Sequence, residues 1–392
     1  QTCALPISLL ERRGAVVSLV TTAGFADVIE IARQDRPSLY DPFADRPAPL
    51  VDRPDRHGVP GRLAADGYEL AAPDPGAVDA LDLEGTEAVA VCLLHADLDD
   101  AHERVVAERL RARGLDVTAS SEVTPEVREY ERTVTTVVNA YLRPPCRTYL
   151  RRLAGAADEV TVMTSAGGLV PLAGAAEVPA SLLLSGPAGG VAAAAAIAAA
   201  CGFPDAVTFD MGGTSTDVCL VRDAAPEPAS ERLVAGLPVR LPSLDVHTIG
   251  AGGGSIASID PGGALVVGPR SAGAVPGPAC YGRGGTEPTV TDADLIAGRI
   301  PSDTVLPGLG PVDVAAAHEA LARAGVDAAG VIEVVEATME QAIRVVTVAR
   351  GVDPRPLALV AFGGAGPLHA CGLAAALGMG TVIVPPRAGV LS

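Results

Sequence analysis

No lysine occurs among the 392 residues; all 29 basic side chains are arginine. That absence excludes two classes of chemistry, because a Walker-A phosphate loop needs a lysine on the phosphates and a Schiff-base enzyme needs one as its amine. Basic charge is also scarce, since 47 acidic residues leave a formal net charge of −18. A protein that neutralises nucleic-acid phosphates shows the opposite footprint, so no nucleic-acid partner is expected. A long apolar run is missing too. The most apolar segment, "VAAAAAIAAACGF" (191–203), falls short of the roughly 20 residues a bilayer requires, and no membrane partner is expected. There is no CxxC pair, and the cysteines (Cys3, Cys92, Cys146, Cys201, Cys219, Cys280, Cys371) are scattered and odd in number. Neither a zinc knuckle nor a disulfide framework fits them, and a reducing cytoplasm is the expected location.

The initiator methionine is absent as well. "QTCALPIS" (1–8) resembles translated sequencing-adaptor read-through and is set aside as non-native, while "IVPPRAGVLS" stops just after a strand and turn, so a piece of a longer protein is expected. What remains is long enough for two or more lobes, and 44 glycines and 33 prolines predict many sharp turns. "GAVVSLVTT" (14–22) reads as a buried strand, Arg33 to Pro60 as a long loop, and residues 87–95, 99–114 and 115–120 as a βαβ unit. A helix over 124–153 has Thr124 as N-cap and Pro125 at N1, and Pro144 and Pro145 are expected to kink or divide it. Further strands and helices alternate to the end without a repeat of fixed period, which predicts an α/β protein with a mainly parallel core.

"TFDMGGTSTDVCLV" (208–221) carries the strongest chemical signal. The apolar residues on both sides make it a strand, a glycine turn and a second strand. Gly212 and Gly213 let backbone N–H groups approach a phosphate, and Thr214, Ser215 and Thr216 supply hydroxyls. Asp210 and Asp217 would then hold Mg²⁺ or its waters, since carboxylates beside a triphosphate need a cation between them. An ordinary GG hairpin is the plain alternative. "ALVAFGGAGPLHA" (358–370) is a second strand, turn and helix, whose Gly363, Gly364 and Gly366 would either pack the turn or lie flat on a nucleoside. It lacks the third glycine of a dinucleotide fingerprint. Two more glycine-dense loops, 247–263 and 268–285, hold His247, Gly252, Gly253, Cys280 and Arg283 as candidate substrate contacts. Cys280 has no basic partner in the sequence to mark it as a nucleophile. His95, Asp97, Asp100 and His102 lack fixed ligand spacing for a metal, and His369 reads as a capping or packing residue.

Together "TTAGFADVIEIARQDRPSLYDP", "SSEVTPEVREYERTVTTVVNAYL", "LLSGPAGGV", "TFDMGGTSTDVCLV", "IGAGGGSIASID", "SAGAVPGPACYGRGGTEPTVTDADL" and "AFGGAGPLHACGLAAALG" resemble the hydantoinase A / 5-oxoprolinase family. The resemblance runs from about residue 9 to the end. It implies a remnant of the family's N-terminal domain over 9–121 and its core domain over 122–392. The implied fold is the actin-like ATPase type of the acetate and sugar kinases, Hsp70 and actin, with ribonuclease H-like subdomains. Residues 208–221 would be its second phosphate loop and 358–370 its adenosine-contacting segment. Such proteins use ATP and Mg²⁺ to open a cyclic amide such as 5-oxoproline or a hydantoin. An acetone carboxylase-type subunit activating a ketone, or a kinase of the same fold, is the alternative. A hydantoinase B-like subunit or fused C-terminal half is the implied partner, in an oligomer. The sequence departs from the family's pattern in three places: a first Asp-x-Gly-Gly-Thr turn is absent, so the piece alone is expected to be inactive, and Ala166 and Asp294 stand where asparagine is usual.

Overall fold

Val17–Thr22 forms β1, a strand buried along its whole length, in a computed structural model that describes residue 9 and residues 11–391. The expectation for residues 1–8 lies outside the described residues. β1 pairs in parallel with β2 (Arg56–Val59) on one side and β3 (Ala88–Cys92) on the other, and β3 pairs in parallel with β4 (Val117–Ala119). Helix α1 (Ala101–Ala112) connects β3 to β4, completing the expected βαβ unit. β2 falls inside the stretch expected to be loop. Its sequence hid it because Arg56 is a buried core residue, bonded to the Val51 carbonyl at 3.0 Å and to Glu30 at 2.7 Å, so no apolar alternation marks the strand.

Helix α2 (Glu129–Leu153) differs from expectation at its start, and of the two outcomes expected at its prolines division does not occur. It starts after Arg128, in the left-handed region at φ 83°, and not at Thr124, and it runs through Pro144 and Pro145 undivided. A proline inside a helix removes a bond to the carbonyl four residues back. Pro145 thereby frees the Tyr141 carbonyl, which instead accepts from Ala15 N at 3.0 Å. Burial of Val134, Val137, Val138 and Leu142 against the β1 and β3 residues supplies the rest of the reason the helix continues.

The chain forms two compact units, one from residues up to Gly186 with Ala229–Ser243, the other from Pro187–Pro228 and Leu244 onward. In the second unit β5 (Ala206–Met211) and β6 (Thr216–Arg222) make an antiparallel hairpin. β6 also pairs antiparallel with β7 (His247–Ile249), while β8 (Ala358–Phe362) lies parallel to both β5 and β9 (Thr381–Ile383). This sheet is mixed, so the expected parallel core holds only for the first one. The hairpin is the reason, since it returns the chain antiparallel at the phosphate-type turn.

Helix α3 (Ser185–Ala200) covers one face through Ala194, Ala195 and Ala198, against Ala206, Val221 and Phe362. The other face packs Val207, Phe209, Met211, Val218 and Leu220 against α4 (Val290–Ile296), α6 (Ala328–Val346) and α7 (Gly366–Leu377); between α4 and α6 lies α5 (Val314–Ala324). Because side chains alternate along a strand, these partners put Asp210 and Asp217 together on the α3 side. Among the described residues no helix is long and apolar enough to cross a membrane.

Candidate functional site

The β5–β6 turn is closed by Gly212 N donating to Ser215 O at 3.0 Å. Asp210 and Asp217 are direct partners across the hairpin, which sets their Cβ atoms about 4.5–5.5 Å apart. Both are nearly buried, with 7% and 9% of their surface exposed. Thr248 of β7 donates its hydroxyl to Asp217. A pair of carboxylates at this spacing offers an all-oxygen donor set of the kind that suits Mg²⁺. Gly213 and Thr214 are exposed and Ser215 half-buried at the tip. Thr216 behaves differently: its buried hydroxyl donates to Ala251 O at 2.6 Å, so it fastens the hairpin to the next loop and does not face a phosphate.

That next loop stacks backbone on backbone. Gly253 N donates to Gly212 O at 3.0 Å and Gly254 N to Gly213 O at 2.7 Å. A Cβ on Gly252 would sit 2.7 Å from Thr214 N, so Gly252 is required by the close approach to the turn. The three glycines after β8 also divide. Gly363 takes φ 80°, and a Cβ there would run into Asp210 and the Met211 carbonyl, while one on Gly366 would lie 3.3 Å from Phe209 O. These two serve the packing of the turn against β5, leaving Gly364 on the cavity wall.

The cavity holds about 490 Å³, within the range of small-ligand sites. Its lining combines glycine backbone from Gly212, Gly213, Gly253 and Gly364, together with Thr214, and the apolar side chains of Tyr281, Leu295, Ile300, Leu306, Val312 and Leu368. Sequence reading missed the apolar wall because its residues come from separate short segments, each unremarkable alone. Asp292 was missed likewise. Its carboxylate accepts from Cys280 N at 2.8 Å, Ala279 N at 3.2 Å, Thr289 N at 2.9 Å and the Thr289 hydroxyl at 2.8 Å, holding the 279–281 turn onto α4. The T-x-x-D capping box at 289–292 was the available signal.

The remaining candidates are dispersed. Cys280 reaches the cavity wall but is fully buried, and burial, reinforced by Asp292, pushes its thiol far above the ordinary cysteine range. It is a wall residue and no nucleophile. In the folded protein at pH 8, iodoacetamide should label exposed Cys201 and Cys371 and leave Cys280 unmodified, as peptide mass mapping would show. Arg283 is exposed and donates to Gly308 O at 2.9 Å, away from the cavity wall, and His247 borders a groove against α6. In the first unit, His95 and Asp97 meet Glu129 with ligand atoms within 4.8 Å of one another, Asp97 being paired to buried Arg132, while Asp100 pairs with Arg104 and His102 with Glu69 outside that group.

The hydantoinase/oxoprolinase profile matches residues 132–392 and the profile of its N-terminal region matches residues 6–114. The chain belongs to this family. Caprolactamase subunit alpha of Pseudomonas jessenii is 37% identical, over 96% of this chain and 58% of that one. A crystal structure of ATP-dependent caprolactamase from the same organism superposes with a TM-score of 0.88 at 35% identity, covering 99% of this chain and 60% of that one. 5-Oxoprolinase 1 of Arabidopsis thaliana is 35% identical over 98% of this chain and 34% of its own length. A nucleotide-free acetone carboxylase structure gives a TM-score of 0.79 at 27% identity, covering 99% of this chain and 59% of that one. The chain thus spans about 60% of the caprolactamase sequence and a third of the plant enzyme.

Proposed function

We propose that this chain is the nucleotide-binding part of an ATP-dependent cyclic-amide hydrolase with an actin-like ATPase fold. The observation that carries the reading is a glycine turn that lines a cavity of small-ligand size and is flanked by Asp210 and Asp217, partners on the strands that enter and leave it. The nucleoside lies against the apolar lining of the cavity, the phosphates lie along Gly212, Gly213 and Thr214, and Asp210 and Asp217 hold Mg²⁺. Held there, the metal would supply positive charge beside the phosphates. A lactam is resonance-stabilised and a poor electrophile. Its carbonyl oxygen attacks the γ-phosphorus and the bond to ADP breaks; water then adds to the activated carbon, the ring C–N bond opens as the nitrogen takes a proton, and a second water hydrolyses the resulting acyl phosphate to carboxylate and phosphate. The chain's own part is to position and to exclude water.

Likeness to caprolactamase and 5-oxoprolinase supports a cyclic amide as substrate, and likeness to a caprolactamase alpha subunit supports a multi-subunit assembly, for which a hydantoinase B-like partner or fused C-terminal half is our proposal. The test is ADP release by the full-length protein with its partner. Release that requires a five- to seven-membered lactam or a hydantoin is expected. The acetone carboxylase likeness favours a second reading, under which ADP release would instead require a ketone and bicarbonate; a requirement for an alcohol acceptor with no partner would make the protein a kinase and defeat both.

A further inference from the structure

His369 lies in α7, one residue beyond Leu368 of the cavity wall, and is fully buried. Its Nε2 is 3.2 Å from Asp294 Oδ2, and its Nδ1 is 3.1 Å from Glu336 Oε1 and 2.8 Å from an Arg299 guanidinium nitrogen. Arg299 also meets Glu336 at 2.6 Å and approaches Asp294 at 3.8 Å. These are the charged groups facing the ring, from α4, the segment after it, and α6.

Asp294 is as buried as the histidine, and neither its carboxylate oxygens nor His369 Nε2 completes a hydrogen bond, so the two meet as an ion-pair contact. Two carboxylates against one guanidinium leave one negative charge over, which a second cation must balance in so dry a place. An imidazolium supplies it, with Nε2 at ion-pair distance from Asp294 and Nδ1 donating to Glu336. Burial pulls the ring's pKa down, but the two carboxylates outweigh burial and hold it above the ordinary histidine value. The neutral ring has a different partner: Nδ1 then accepts from Arg299, and the Glu336 bond is lost. The fold gains from the ring's charge below the ordinary imidazole pKa, and loses that gain as pH rises through the raised value.

The cluster joins two walls of the cavity. Asp294 sits between Thr291 and Leu295, which both line it, and His369 follows Gly364, Ala365 and Leu368 on the opposite side. Thr291 extends the link, because its hydroxyl and its N–H both bond Gly253 O at 2.8 Å, and Gly253 N bonds the phosphate-type turn.

We propose that His369 is a positioning residue of the nucleotide cavity: as an imidazolium it clamps α4 to the start of α7, and loss of its proton loosens the two walls. This rests on the nucleotide reading given above. Linkage requires that a ligand which favours the clamped state also raise the ring's pKa.

The test is calorimetric titration of the full-length protein with Mg-ADP from pH 6 to pH 10, with NMR of ¹³C-labelled histidine in parallel. Wild-type affinity should hold at low pH and fall on the order of tenfold as the ring deprotonates, and Mg-ADP should move the ring's pKa up by about one unit. Asp294→Asn should bring that fall to lower pH, and His369→Gln should bind with the weaker affinity at every pH; a melting curve shows whether each variant folds. A ring that titrates while wild-type affinity stays constant overturns the clamp and leaves the nucleotide reading intact. Absence of Mg-ADP binding at every pH overturns both.

Discussion

Asp210→Ala loses Mg-nucleotide binding by at least about 100-fold, equivalent to about 2.8 kcal/mol, while the protein stays folded. The size follows from what the side chain faces. Asp210 and Asp217 are partners across the hairpin, on one side of the sheet and nearly buried, so a dication between them would be paired with two charges in a medium that screens poorly. Taking one carboxylate away removes a direct ligand and half of the balancing charge. Asp210→Asn should do nearly as much harm despite its unchanged shape, which separates loss of charge from loss of volume. Calorimetry with Mg-ADP, beside a circular-dichroism melt, checks it; affinity unchanged in either variant would remove the phosphate-turn assignment. Thr216→Val is the informative contrast. Its hydroxyl bonds Ala251 O, so its loss should lower stability by about 1–3 kcal/mol and affect nucleotide only through the displaced loop.

Local pattern revealed the hairpin, because "TFDMGGTSTDVCLV" holds strand, turn and both acids within 14 residues. The cavity beside it was legible in its glycine lining and illegible in its apolar lining. Leu295, Ile300, Leu306, Val312 and Leu368 meet only after α4, α5 and α7 have packed, and nothing in their spacing distinguishes them from ordinary core. The same limit hid the His369 cluster, whose members are separated by up to 75 residues: His369 read as a capping or packing residue, Asp294 stood out only as a departure from the family pattern, and nothing local ties Arg299 or Glu336 to them. β2 was invisible for a different reason, since its buried arginine breaks the alternation by which a strand is recognised. That α2 continues past Pro144 and Pro145 was not legible, because Ala15 N, the donor that takes the carbonyl freed by Pro145, lies more than 100 residues away in sequence.

Gly363 and Gly364 stand side by side in one motif, and the structure gives them opposite fates on substitution. Gly363 has φ 80°, a region that costs an L-residue about 1–2 kcal/mol, and its missing Cβ is replaced by Asp210 and by the backbone of Met211. Neither neighbour can yield freely, because Met211 is the last residue of β5 and its carbonyl accepts from Ala365 N at 3.0 Å. Overpacking of this kind adds about 1–3 kcal/mol, so Gly363→Ala should cost about 2–5 kcal/mol and lower the melting temperature of the second unit by roughly 5–15 °C. It should also displace Asp210 and weaken Mg-ADP. Gly364 has ordinary backbone geometry and open space where a Cβ would go, so Gly364→Ala should melt within about 0.5 kcal/mol of wild type. As a wall residue of the cavity, it should weaken nucleotide binding all the same. Differential scanning calorimetry and Mg-ADP titration of both variants decide the matter: equal melting of the two would contradict the close approach at Gly363, and unaltered affinity in Gly364→Ala would place the nucleoside elsewhere than in this cavity.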